Sequence, residues 1–216
     1  MSETRVLVAG GGIGGLCAAI ALRRLGVAVE VAERMGGFRP VGAGITLQPN
    51  AMAVLEALGV DIPADEGFPL GGVALVDHRG RPLVAGAPAA GLATTSLNVR
   101  RAALHDALLK AVGDTPIHLG REVVRVRETS GRLEVGFTDG DGGVWDLVIG
   151  ADGLRSRVRD SLLGADATRL RHSGQTCWRF SVDAPDLATD RAVERWGDRR
   201  RLGVVPLSRG GTYVYA

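Results

Sequence analysis

Two hydrophobic periods alternate along this chain, and the switches between them mark out its elements. Residues 5–9, RVLVA, form a short apolar run, followed by glycines and then by apolar residues at helical spacing through Leu16, Ile20 and Leu25, stopping at Gly26. A second apolar run, Val27 to Ala32, follows at once. Strand, glycine turn, helix and strand in that order predict a βαβ unit whose helix crosses over between parallel strands. Gly42 and Gly44 mark a loop, and Pro49-Asn50 opens a further helix with Met52, Leu55 and Leu58 on one side. Residues 73–85 alternate and turn at HRGR, which predicts a hairpin. LNVRRAALHDALLKAVG, residues 97–113, reads as an amphipathic helix ending at Gly113. Strands are expected at 116–119, 121–128 and 132–138, and a DGDGG turn leads into VWDLVIGADG. From about residue 168 the alternation is that of strands, through TCWRFSVD and RRLGVVPLSRGGTYVYA. The fold class read from this is α/β: a Rossmann-like βαβ domain for a nucleotide, with an incomplete β-rich second domain.

Composition narrows the classes. The 216 residues, 45% of them hydrophobic, can bury a full core. No apolar run reaches the roughly 18 to 20 residues of a membrane helix, and the first residues carry neither a basic n-region nor a cleavage site, so the expected location is cytoplasmic, with no membrane partner. Cys17 and Cys177 stand far apart, and His78, His105, His118 and His172 are scattered, so neither a metal site nor a disulfide framework is expected. Among 26 basic residues only Lys110 is a lysine. The runs DRRR (198–201) and RSRVR (155–159) stand against a net charge of +2 and have no interleaved aromatics, so nucleic acid is not an expected partner.

The candidate chemistry begins at Gly10, Gly12 and Gly15, which form GxGxxG: a tight turn, a close approach for a pyrophosphate, and close packing of helix on strand. The motif follows a strand, opens a helix whose amides favour an anion, and has Glu33 18 residues past its last glycine, where a carboxylate accepts the hydroxyls of an adenosine ribose. These residues suit NAD as well as FAD.

Three later stretches separate the two cofactors. RPVGAGITLQPNA (39–51), VRRAALHDALL (99–109) and DLVIGADGLRSRVR (146–159) together resemble the class A flavoprotein monooxygenases, the group of para-hydroxybenzoate, salicylate and urate hydroxylases. The resemblance runs in order along the whole chain, and its GADGxxSxxR pattern is carried by Asp152, Gly153, Ser156 and Arg159. It implies that residues 1–70 and 97–165 form an FAD-binding domain, and 71–96 and 166–216 part of a substrate-binding sheet domain.

By the same resemblance, Gly14 and the neighbouring glycines line the FAD pyrophosphate, Glu33 holds the adenosine ribose and Arg34 lies near the adenine end. Thr46 matches a position that touches FAD, Arg101 in its R-x-x-L frame with Leu104 the arginine that meets the phosphate and ribityl region, and Val123 a backbone contact to the adenine. An arginine opening an apolar helix makes a strong charge-assisted bond to a phosphate, though a solvated arginine beside Arg100 is the alternative. Asp152 and Arg159 match residues that tie the FAD and NAD(P)H sites together; an N-cap aspartate and a surface arginine are the other reading. Arg201 and Tyr213 match substrate-contacting positions of urate-hydroxylase-like members, able to orient a phenolate or urate-like anion, against an exposed sheet arginine and an ordinary strand tyrosine. Trp178 and Arg179 match a WR strand read as structural packing.

The activity implied is hydroxylation of a small aromatic or heteroaromatic compound with O2, NADH or NADPH serving as co-substrate, by way of the flavin C4a-hydroperoxide. A flavin-dependent oxidase or reductase, or a non-catalytic adenine-nucleotide-binding fragment, remains the alternative. The family's GDAAH-like segment is not in this sequence, which therefore reads as a fragment or truncated form. On that basis strands 203–207 and 212–216 are expected to lack partners and leave an exposed edge, and FAD affinity to be poor.

Overall fold

The computed structural model describes residues 4–39, 43–84, 96–140, 142–187 and 191–216. Gly42, residue 85 of the expected hairpin and Asp141 of the DGDGG turn lie outside them. The elements begin with β1 Arg5–Ala9, α1 Ile13–Arg24, β2 Ala28–Glu33, β3 Gly44–Leu47, α2 Pro49–Ala57, β4 Gly67–Leu70 and β5 Val73–Asp77. There follow β6 Ser96–Arg100, α3 Arg101–Val112, β7 Ile117–Leu119, β8 Val123–Thr129, β9 Arg132–Phe137, β10 Gly142–Trp145 and β11 Leu147–Gly150. The remainder is α4 Arg157–Leu163, β12 Arg179–Asp183, a 3-10 turn at Pro185–Leu187, β13 Ala192–Gly197, β14 Arg200–Pro206 and β15 Gly211–Tyr215. No helix among the described residues is long and apolar enough to cross a membrane.

Two compact units divide the chain: Met1–Arg39 with Leu108–Ser173, and Pro40–Ala107 with Gly174–Ala216. In the first, β11, β1, β2 and β7 form a parallel sheet in that order. Val6, Leu7, Val8 and Ala9 are all buried, as a central parallel strand covered on both faces requires. Leu16, Ala19 and Ile20 give α1 its buried side as it crosses from β1 to β2. An antiparallel sheet, β10-β9-β8, adds Val123, Val126, Val135, Phe137 and Trp145 to a core shared with Leu7, Ala9, Ala32 and Val158. The Phe137 and Trp145 rings meet edge to face, 5.9 Å between centroids.

At one point on this sheet charge replaces apolar packing. Arg5 donates to Glu30 at 2.8 Å and His118 Nε2 stands 3.0 Å from its other oxygen. Burial disfavours the Glu30 carboxylate, but the bonds from Arg5 and His118, with the charge of Arg5, outweigh it and hold its carboxyl below the ordinary range. A carboxyl depressed on folding contributes stability above its unfolded pKa, about 4.3, and that contribution is lost as pH falls through the lower folded value. In urea unfolding, wild type is expected to exceed Glu30→Gln at about pH 7 and the two to converge towards about pH 3; a gap that does not change with pH would show that Glu30 adds no charge-dependent stability.

The second unit holds a small antiparallel sheet, β3-β6-β4, and a five-stranded sheet, β12-β15-β14-β13-β5, antiparallel except where β5 runs parallel to β13. Asn98 on β6 is fully buried, accepting from Thr46 Oγ1 at 2.6 Å and donating to the Pro206 carbonyl at 3.2 Å.

Several expectations are corrected here. Residues 96–100 are strand rather than the start of a helix, because β3 and β4 pair with both their edges, and the helix begins at Arg101. The hairpin at 73–85 turns as expected, Asp77 Oδ1 accepting from the amides of Arg79 and Arg81, and among the described residues its return arm is held by a bridge between Val76 and Pro82, with the Leu83 amide donating to the Leu75 carbonyl at 3.0 Å. Strands 203–207 and 212–216 do not lack partners: β14 lies between β13 and β15, and β15 between β14 and β12, so the sheet edges are β12 and β5. The alternating stretches 179–183 and 192–197 supply the outer strands. Strands β3, β4 and β6 fall in the same unit as the five-stranded sheet, and the Asn98–Pro206 bond ties β6 to β14.

Candidate functional site

The turn between β1 and α1 uses its glycines in two ways. Gly10 has φ +110°, and a Cβ there would stand 2.4 Å from the Ala151 carbonyl oxygen; one on Gly15 would stand 1.8 Å from the Gly10 carbonyl oxygen. Both positions are closed to any side chain by backbone. At Gly12 and Gly14 a Cβ would meet nothing within 4 Å. Gly12 is the N-cap of α1, with no side-chain cap bond and no acid in the first turn, so no side chain of that turn caps the first amides of the helix.

Glu33, at the end of β2, reaches back to this turn. One carboxylate oxygen accepts from the Gly11 amide at 2.7 Å and the other from Met35 at 2.9 Å, which fixes the group beside the glycines with lone pairs to spare. Arg34 is exposed. Val123 is buried in the core. Asp152 Oδ2 accepts from the amides of Arg157 and Val158 at 2.7 and 3.1 Å, while Oδ1 is buried without a hydrogen-bond partner. Ser156 caps α4 by accepting from Arg159 at 3.0 Å, and the Arg159 guanidinium donates to the Leu154 carbonyl at 3.1 Å, so the GADGxxSxxR segment is tied to itself.

In the second unit the paired arginines separate by their partners. Arg100 is engaged, 3.2 Å from Asp183, with its guanidinium over Gly211. Arg101 is exposed at the first position of α3, its amide bonded to the Ala43 carbonyl at 2.9 Å and its guanidinium without a hydrogen-bond or ion-pair partner among the described residues. The Thr46 hydroxyl is committed to Asn98.

Arg201 and Tyr213 share one face of the five-stranded sheet but do not meet. Register places Val205 opposite Tyr213 and Gly203 opposite Tyr215, so Tyr215 stands between them. Its ring is 5.6 Å from that of Tyr213 and 5.9 Å from the Arg201 guanidinium. Glu194 accepts from the Tyr215 hydroxyl and from Trp196 Nε1, and lies 3.6 Å from Arg201. Burial and the Glu194 carboxylate together push the Tyr215 phenol far up. Tyr213 is also raised by burial, with the Arg179 guanidinium beside it acting in the opposite direction. Gly44 and Gly203 make room for these rings: a Cβ on either would stand 2.6 Å from Tyr213 Cγ or 2.0 Å from Tyr215 Cζ. Arg179, Glu194, Tyr215, Gly44 and Gly203 were not among the sequence candidates. The alternation in their strands was visible, but which residues share a row follows from register.

A family model described as FAD binding domain matches residues 3–196. The chain belongs to that family. Among curated relatives of this FAD-binding chain, the aurachin C monooxygenase/isomerase of Stigmatella aurantiaca is 40% identical over 216 residues, which is 98% of this chain and 56% of that protein. The FAD-dependent urate hydroxylase of Klebsiella pneumoniae is 33% identical over 218 residues, 98% of this chain and 56% of the hydroxylase. A crystal structure of Klebsiella pneumoniae HpxO complexed with FAD and uric acid matches with a TM-score of 0.87 at 31% identity, covering 98% of this chain and 55% of that one. These relatives bear out the resemblance to FAD-dependent aromatic monooxygenases and the α/β fold class. The chain spans a little over half the length of the curated relatives it matches.

The turn fits the ADP portion of FAD on its own geometry. Gly12 and Gly14 leave open space at the uncapped start of α1, and a fixed carboxylate stands at the adjacent strand end. No cluster of metal-ligating side chains occurs among the described residues.

Proposed function

We propose that this chain binds FAD and, with NADH or NADPH and O2, serves the hydroxylation of a small aromatic or heteroaromatic compound in the cytoplasm. The observation that carries the reading is the divided use of the glycines, with Glu33 fixed beside them. The chemistry a bound flavin supplies is two-electron exchange with the nicotinamide and activation of O2 towards an electron-rich ring.

The chain's own residues bind and orient. The α1 amides at Gly12 and Gly14 take the pyrophosphate, with Gly10 and Gly15 setting the turn, and the Glu33 carboxylate accepts from the ribose hydroxyls. Arg34 and the Val123 backbone serve the adenine end. Arg101, whose guanidinium has no partner within the described residues, meets the phosphate and ribityl region with Thr46. Asp152 holds the start of α4, and Arg201 and Tyr213 belong to the substrate surface. Functionally, then, the cofactor-binding part is residues 1–70 and 97–165, and the substrate part 71–96 and 166–216, although Thr46 and Arg101 group by contacts with the second unit.

Titration of the purified chain with FAD, read by flavin fluorescence and competed with ADP, tests the cofactor reading. Saturable binding that ADP displaces is expected; binding of neither overturns it. NAD(P)H oxidation stimulated by an aromatic compound and yielding its hydroxylated product supports the activity, whereas oxidation that gives hydrogen peroxide with every aromatic tried supports an oxidase.

A further inference from the structure

The sheet face that carries Tyr213 holds two arginines in opposite electrostatic situations. Arg201 lies 3.6 Å from Glu194, whose side chain is only 13% exposed, so its charge is largely compensated. Arg179 has no carboxylate against it among the described residues; its neighbours are the Cys177 thiol and the phenols of Tyr213 and Tyr215. Register sets Arg179 opposite Tyr215 and Ser181 opposite Tyr213. The Ser181 hydroxyl is buried and has no hydrogen-bond partner. Along β12 and β15 the row therefore contains an uncompensated cation, a phenol and a hydroxyl with bonding capacity unspent.

We propose that Arg179, beside the Tyr213 phenol, rather than Arg201, is the cation that takes the carboxylate or phenolate oxygen of an aromatic ligand. The proposal rests on the reading of this face as the substrate surface. A guanidinium compensated by a largely buried carboxylate offers little net charge to an incoming anion, whereas one that faces only a thiol and phenols keeps its full charge for it. The ligand ring lies against the tyrosine pair, and Ser181 gains a partner. Arg201, held through Glu194 with Tyr215 and Trp196, keeps the ring row in place.

Benzoate and its neutral counterpart benzamide are the probes, with binding read from tryptophan fluorescence, since Trp178 adjoins Arg179 and is exposed. Arg179→Gln is expected to weaken benzoate binding about tenfold or more and to leave benzamide within about twofold, as loss of one charged hydrogen bond predicts. The chain has two tyrosines, both in this row, so ultraviolet titration reads them alone. In Arg179→Gln the Tyr213 phenol is expected to titrate at higher pH than in wild type, since the cation that opposes its burial is gone. If benzoate binds Arg179→Gln as it binds wild type while Tyr213→Phe or Arg201→Gln loses it, the proposal falls and the substrate surface stands. If wild type does not bind benzoate, or none of the three substitutions alters binding, the reading of this face falls with it.

Discussion

Gly15→Ala is expected to lower the melting temperature of this chain by about 6–12 °C, whereas Gly14→Ala, one residue earlier, leaves it unchanged or raises it. The difference lies in what each new methyl meets. At Gly15 it would stand 1.8 Å from the Gly10 carbonyl oxygen and 3.3 Å from the Ala151 side chain. The nearer of these is backbone in a turn, which cannot swing aside, so α1 must lift from β1 and disturb the packing of Leu16 and Ile20. Overpacking of this kind costs about 3 kcal/mol, and each kcal/mol corresponds to about 2–4 °C in a domain of this size. At Gly14 the methyl meets nothing within 4 Å, and alanine is the better helix former by up to about 1 kcal/mol. Binding reverses the order of interest. Gly14→Ala places its methyl where an anion would approach the helix amides, so ADP affinity falls about tenfold in a protein at least as stable as wild type. Thermal unfolding and ADP titration of the two variants side by side read both effects. A Gly14→Ala protein that binds ADP as wild type does would show that the pyrophosphate does not pass this residue.

Glu33→Ala is expected to reduce ADP affinity about 10- to 100-fold and to destabilise the turn as well. The carboxylate serves two amides, Gly11 at 2.7 Å and Met35 at 2.9 Å, and the Gly11 amide is in a buried residue. Removing the acceptor leaves that amide unsatisfied at a cost of about 1–3 kcal/mol and takes away the proposed ribose acceptor. Glu33→Gln separates these contributions. Its single carbonyl oxygen satisfies one amide while its NH2 group opposes the other, so the turn is partly retained, but the negative charge towards the hydroxyls is lost. Affinities in the order wild type, Gln, Ala, with unfolding free energies in the same order, match a carboxylate that both builds the turn and binds. Equal affinity in wild type and Glu33→Ala would remove Glu33 from the site.

The first unit was legible in the sequence because its determinants are close together in the chain. The apolar runs at β1 and β2, the glycines between them and Glu33 all fall within residues 5–33, and the βαβ connection leaves them one arrangement. The parallel strand buried on both faces had to be continuously apolar, and RVLVA is, after its first residue. Where the sequence misled, partners came from far along the chain. LNVR continues smoothly into a helical pattern, and only the pairing of β6 with both β3 and β4 makes it strand. Likewise the two last strands looked unpartnered because 179–183 and 192–197 carry no sign of which edge they will take.

The sequence by itself determined the α/β class, the βαβ unit, the glycine turn with its carboxylate, and the family. These depend on residue type and short spacing, and backbone geometry converts such spacing into position with little freedom. The tertiary structure alone decided which of two similar residues is available. Arg100 is paired with Asp183 while Arg101 is not, and Arg201 lies against Glu194 while Arg179 stands beside Tyr213. Neighbouring arginines look alike in a sequence, but their electrostatic roles depend on strand register, where a shift of one residue moves every side chain to the opposite face.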